Sequence, residues 1–128
     1  MRLLLDTHTL LWADAEPSRL SNQARSLLLD AENEFLLSCA SLWEMQIKVM
    51  LGKLTVRKPL AELVNEWETE NGLTVLPITQ RDIYEVSVLP SIHNDPFDRL
   101  IVAVARCENA TILSDDPEIK KYPVPTIW

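Results

Sequence analysis

The chain has 128 residues, 47% of them hydrophobic and 24% charged, with a net charge of −7 at pH 7. That length suffices for one domain with its own apolar core, and no apolar run reaches the roughly 20 residues that span a bilayer. The acidic balance excludes a protein that coats nucleic acid through a broad basic face, but not an enzyme that gathers acids at a metal centre and acts on nucleic acid.

The opening run Met1-Arg2-Leu3-Leu4-Leu5 predicts a strand over Arg2–Asp6. One arginine before a short leucine run, broken at once by Asp6, does not read as a secretory leader, so a cytoplasmic location is expected. A helix is predicted over Thr7–Ala13. A second covers Ser21–Glu32, with Ser21 as N-cap and Ala24, Leu27, Leu28 and Ala31 along one face. Glu34–Ser38 reads as a strand, and Ser41–Leu51 as a helix stopped by Gly52. Pro59–Asn71 is a helix with Leu60, Leu63, Val64 and Trp67 on one face and Gly72 after its end. Leu73–Ile78 is a strand, Thr79–Val88 a short helix and Pro96–Glu108 an apolar helix. Thr111–Ser114 is a strand, and Val124–Trp128 forms a last one. With two glycines, no repeat and no low-complexity tract, residues 1–128 read as one domain. Cys39 and Cys107, distant and in apolar surroundings, read as buried free thiols.

Short apolar strands separated by helices specify an α/β fold, a parallel sheet covered on both faces. Such sheets bind ligands beyond the carboxyl ends of their strands. Asp6 stands at the end of the first strand and Asp116 just beyond the Thr111–Ser114 strand. Asp98 opens the helix that runs back across the sheet, so it belongs to the same edge. Glu44 lies among Leu42, Trp43, Met45 and Ile47. Each acid also has an ordinary local use. Asp6 suits an N-cap, and Glu44 pairs with Lys48 at i,i+4. Asp95 suits an N-cap with Pro96 at N1 and Asp98 at N3, and Asp116 suits the cap of a turn containing Glu118. What separates Asp6, Glu44, Asp98 and Asp116 from such uses is their joint placement. Gathered carboxylates beside apolar sequence repel one another, and a bound divalent cation resolves that conflict.

His8 and His93 lack the spacing of a zinc pair, and His8 reads as a structural or supporting residue. No Gly-rich phosphate loop is present. Lys48, Lys53, Arg57 and Lys58 form a basic segment that either contacts a nucleic-acid backbone or is a solvated helix end and loop.

Four stretches, taken together, resemble the PIN-domain ribonucleases, in particular the VapC-type toxins of prokaryotic toxin–antitoxin pairs. They are Leu5-Asp6-Thr7-His8 with Leu11-Trp12, then Ser41-Leu42-Trp43-Glu44, then His93-Asn94-Asp95-Pro96-Phe97-Asp98-Arg99-Leu100, then Leu113-Ser114-Asp115-Asp116. They run from end to end in the family's order, and the Asp-Pro-Phe-Asp-Arg block is the most specific. The resemblance implies a three-layer α/β/α sandwich around a central parallel sheet. It implies Mg²⁺ or Mn²⁺ held by Asp6, Glu44, Asp98 and Asp116, with Thr7 or Ser114 supporting the metal waters. The family pattern of a hydroxyl residue, one variable residue and an aspartate selects Ser114 and Asp116, with Asp115 in the variable place. The resemblance further implies a metal-dependent endoribonuclease that hydrolyses RNA, a homodimer, and a small cognate antitoxin that blocks the site. Arg99 is expected either to bind phosphate or to pair with a neighbouring acid. Trp12, Trp43, Met45 and Met50 are candidates for a partner-facing surface near the cleft.

Two other readings compete. One is phosphoryl transfer to an aspartate, but His8 stands where the phosphatase pattern wants a second aspartate. The other is a non-catalytic binding module of the same fold, against which the complete acid set argues.

Overall fold

A computed structural model describes residues 1–128. Strands β1 (Arg2–Leu5), β2 (Glu34–Ser38), β3 (Thr74–Leu76), β4 (Thr111–Leu113) and β5 (Thr126–Ile127) form one sheet in the order β3-β2-β1-β4-β5, and every pairing is parallel. Helices α1 (Thr7–Ala15), α2 (Asn22–Leu29), α3 (Cys39–Met50), α4 (Leu60–Asn71), α5 (Gln80–Val86) and α6 (Pro96–Cys107) connect and cover it.

Side chains alternate across a strand, so an apolar run buried on both faces feeds two cores at once. Leu3 and Leu5 join Phe35, Leu37 and Leu113 against Leu10 of α1, Ala24 of α2 and Leu63, Val64 and Trp67 of α4. Leu4, Leu36 and Ile112 turn the other way, onto Ile101, Val104 and Ala105 of α6. Helix α3 serves both sides, with Met45 in the first core and Ala40 in the second. These are the three layers of an α/β/α sandwich. Each leucine so buried contributes about 1.5–3 kcal/mol before conformational entropy is charged.

Several boundaries differ from the sequence expectation for local reasons. Helix α3 starts at Cys39, directly after β2, because the Ser38 hydroxyl accepts from Ala40 N at 3.0 Å and caps it. Helix α2 stops at Leu29. Asp30 turns the chain by accepting from Glu32 N at 2.9 Å, and Asn33 Nδ2 donates at 2.9 Å to the Leu27 carbonyl, which also accepts from Asp30 N at 3.4 Å. The last strand shrinks to Thr126–Ile127, since Pro123 and Pro125 have no N–H to donate. Two short 3-10 turns, Pro17–Arg19 and Ile119–Lys121, carry no periodicity by which the sequence betrays them. Gly72 does end α4, in the left-handed conformation at φ 66°. The thiols of Cys39 and Cys107 are free, but both residues are half-exposed and not fully buried as expected. No helix is long and apolar enough to cross a membrane.

Helix α5 carries a reciprocal cap. Thr79 Oγ1 accepts from Asp82 N at 3.2 Å, and Asp82 Oδ2 accepts from Thr79 N at 2.9 Å. Replacing Thr79 by alanine is expected to cost about 1 kcal/mol. Urea unfolding checks this as a lower midpoint with unchanged slope.

Candidate functional site at the carboxyl edge of the sheet

The strand order reverses between β1 and β4, where chain connections depart to opposite sides. The crevice beyond the carboxyl ends of those two strands is where open parallel sheets bind ligands. Asp6 leaves β1 there, and Ser114 to Asp116 leave β4 there.

Asp6 is buried and caps α1. Its Oδ1 accepts from Thr9 N at 2.8 Å and lies 2.7 Å from Thr9 Oγ1, while Oδ2 accepts from Ser114 Oγ. Its own N–H donates to the Leu113 carbonyl at 3.3 Å. The same Ser114 Oγ accepts from Asp116 N at 3.0 Å. One hydroxyl thus ties Asp6 to the backbone of Asp116, which is the physical content of the hydroxyl–variable–aspartate spacing. Asp116 and Asp6 share a cavity of about 290 Å³ with His8 and Trp12. Asp115 lines it too, but its exposed carboxylate pairs with Lys120 at 3.1 Å.

Thr9 has no exposed surface, and its hydroxyl also lies 2.7 Å from the Leu113 carbonyl. It fastens α1, β4 and the Asp6 carboxylate at one point. Thr9→Val keeps the shape and removes the proton, so a loss of about 1–2 kcal/mol is expected in urea unfolding.

Glu44 is buried on α3. Its Oε1 accepts from Thr7 Oγ1 at 2.7 Å and its Oε2 from Lys48 Nζ at 3.1 Å. The ordinary i,i+4 pair is therefore present, and a hydroxyl beside Asp6 holds the other oxygen. Asp98 sits in the first turn of α6, which Asp95 caps by accepting from Phe97 N at 2.9 Å and Asp98 N at 3.2 Å. Asp98 Oδ2 lies 3.1 Å from His93 Nε2. The Asp98 carboxyl is pushed up to about 6. Burial is the largest cause. The His93 hydrogen bond opposes it, and the charges of Asp95, Asp116 and Glu44 add to it. Asp98 thus feels the acids of α3 and of the segment after β4. An edge-to-face contact between Trp43 and Phe97, 5.3 Å between centroids, ties α3 to α6 beside the site.

Other expectations change. Arg99 forms no ion pair with an acid. Its guanidinium donates to the Pro90 carbonyl at 2.9 Å, the Val86 carbonyl at 3.4 Å and the Tyr122 hydroxyl at 3.1 Å. The basic segment is largely paired: Arg57 with Asp14 and Glu66, Lys58 with Glu66, and Lys48 with Glu44. Among the partner-surface candidates, Met45 is fully buried in the core and Trp12 packs on His8 and Trp128. Trp43 and Met50 are exposed.

His93 was not singled out as a site residue, although it stands five positions before Asp98 in the same block. Its ring contacts Asp98 on one side and the Tyr122 hydroxyl, at 2.7 Å, on the other. Tyr122 had no local signal at all.

No three carboxylate, imidazole or thiol side chains converge on one point as a closed ligand set. The donors present are hard oxygens. Ser41 Oγ, one helical turn before Glu44 on α3, is buried without a hydrogen-bond partner. That set fits a hydrated divalent cation, which keeps several waters and binds through one or two carboxylates.

The PIN domain family matches residues 3–125. The chain belongs to the PIN domain family. No curated protein matches it. Solved structures share the fold of this PIN domain at low identity. A chain of VapBC2 from Rickettsia felis, bound to a DNA fragment from its promoter, superposes with a TM-score of 0.75 at 19% identity, covering 99% of this chain and 98% of that one. A chain of DNA-bound VapBC from Salmonella typhimurium gives 0.67 at 14% identity over 99% and 97%. One from the FitAcB structure of Neisseria gonorrhoeae gives 0.64 at 18% identity over 98% and 96%.

Proposed function

We propose that this PIN domain is a metal-dependent endoribonuclease, the toxin of a toxin–antitoxin pair. The observation that carries the reading is the carboxylate set at the switch point of the sheet. Asp6 and Asp116 are joined through Ser114, Glu44 is held by Thr7, and the Asp98 carboxyl is pushed up mainly by burial, with the charges of Asp95, Asp116 and Glu44 adding to it. Lys48 makes the one ion pair of these four acids with a permanently charged group. A site so short of positive charge favours a divalent cation and the phosphodiester that the cation neutralises.

Asp6, Glu44, Asp98 and Asp116 would hold Mg²⁺ or Mn²⁺, directly or through its waters. When bound, the cation supplies a water of lowered pKa and neutralises charge on the phosphate. The chain's own residues do the rest. Ser114 and Thr9 donate to Asp6 and keep its carboxylate oriented. Thr7 and Lys48 do the same for Glu44. The raised Asp98 carboxyl is poised near the operating pH to take up and release a proton when the cation is absent.

The solved neighbours named above are called VapBC2, VapBC and FitAcB, two of them bound to DNA. By that likeness the partner of this chain is a small cognate antitoxin. Its expected contact is a bidentate arginine facing the acids, because a guanidinium matches carboxylate geometry. The PIN domain also pairs with a second copy of itself, as the family resemblance implies. The test of the central reading is direct: purified protein is incubated with total RNA in Mg²⁺ or Mn²⁺ and, separately, in EDTA. Cleavage that needs the divalent ion supports it. RNA left intact under every condition by folded protein overturns it.

A further inference from the structure

Behind Asp98 stands a chain of three polar groups, Arg99, Tyr122 and His93, that have no part in the chemistry just described. Arg99 Nη1 lies 3.1 Å from Tyr122 Oη, Tyr122 Oη lies 2.7 Å from His93 Nδ1, and His93 Nε2 lies 3.1 Å from Asp98 Oδ2. Tyr122 is buried, and the side chains of His93 and Asp98 are 18% and 17% exposed. A direction follows from the inventory of donors. A guanidinium has donors only, so Arg99 occupies a lone pair of the tyrosine oxygen. The phenolic proton then goes to Nδ1. A neutral imidazole that accepts at Nδ1 carries its own proton at Nε2, and that proton points at the Asp98 carboxylate. In the opposite tautomer a nitrogen lone pair would face a carboxylate oxygen at 3.1 Å, and the phenolic proton would have no acceptor.

We propose that His93 is a positioning residue for Asp98, its tautomer set by the Arg99–Tyr122 pair. The imidazole pins Asp98 Oδ2 and leaves Oδ1, which has no hydrogen-bond partner in the chain, as the oxygen for the cation. The cation half of this statement rests on the nuclease reading. The relay does not. The arrangement also explains why Arg99 turns from its neighbour Asp98. It anchors the α5–α6 connection through Val86 and Pro90, and that connection carries His93. Carboxylates that ligate metals need such outer partners, and losing one weakens metal binding by about 10–100-fold.

The test compares wild type with His93→Ala, His93→Gln, Tyr122→Phe and Asp6→Asn. Nitrogen-15 NMR of the His93 ring, well above the ordinary histidine titration range, reads the tautomer. Wild type is expected to carry the proton on Nε2, and Tyr122→Phe to give a mixture. Calorimetric titration with Mn²⁺ reads affinity. His93→Ala is expected to lose about 10–100-fold, and His93→Gln to recover most of it because its amide donor stands where Nε2–H stood. Circular dichroism confirms that the variants fold. A wild-type proton on Nδ1 overturns the proposal. So does Mn²⁺ affinity unchanged in folded His93→Ala, or folded His93→Gln as weak as His93→Ala. If wild type neither takes up Mn²⁺ nor cleaves RNA, the nuclease reading fails together with the cation half. The tautomer measurement then decides the relay by itself.

Discussion

Asp6→Asn is expected to lower RNA cleavage by at least about 10²–10³-fold, the scale on which a single charged or hydrogen-bonding group at a reacting centre matters. The side chain keeps its shape and one acceptor oxygen, so the Thr9 N–H still caps α1. What disappears is a negative charge at the point where β1, β4 and the Ser114 hydroxyl meet. The amide nitrogen also presents hydrogens where a carboxylate oxygen accepted from Ser114. The variant should fold and fail to cut. In a bacterial host without an antitoxin, the wild-type chain should slow growth and Asp6→Asn should not. Equal growth at matched soluble expression would remove the toxin reading and leave a nuclease role standing.

The second large effect concerns metal and charge together. Mg²⁺ or Mn²⁺ that binds only the native state should raise stability by about 2.7 kcal/mol at a hundred times its dissociation constant. Asp98→Asn should lose much of that increment, yet its metal-free form should be more stable than wild type near neutral pH. The sign follows from the Asp98 carboxyl, raised from 3.8 to about 6 in the fold. Between those values the native state binds more protons than the unfolded chain, so wild-type stability falls as pH rises through the window. The cost is complete above pH 6 and absent below 3.8. Allowing for solvent screening, it is about 1–2 kcal/mol. Melting temperatures in EDTA should therefore show Asp98→Asn ahead of wild type at neutral pH, with the difference closing in acid. A variant less stable than wild type at neutral pH without metal would show that Asp98 carries no uncompensated charge.

The sequence announced most of the architecture because its strands are apolar runs and its helices carry one-sided patterns. Leu3-Leu4-Leu5 already implied a strand buried on both faces. The four acids were legible through their positions relative to strand ends and helix starts. Their supports were less so. Ser114 and Thr7 could be named from adjacency, whereas Thr9 reaches Leu113 across 104 positions and Tyr122 reaches His93 across 29. Such contacts are made by the fold and leave no local spacing. The ion pair expected of Arg99 fails for the same reason. The two residues are adjacent in sequence, but the helix sends their side chains to different neighbours.

The margins of the sheet bear on how any second protein joins this one. At one margin β5 has two residues and is flanked by Pro123 and Pro125; at the other β3 has three. Short, proline-guarded rims offer few free amides and carbonyls to an incoming extended peptide. Strand addition is thereby discouraged, both for a regulator and for runaway self-association. The side-chain surfaces left to a second protein include the apolar groove of Leu42, Trp43, Leu60 and Val64 between α3 and α4. Recognition there would depend on the shapes of particular side chains and not on generic backbone pairing.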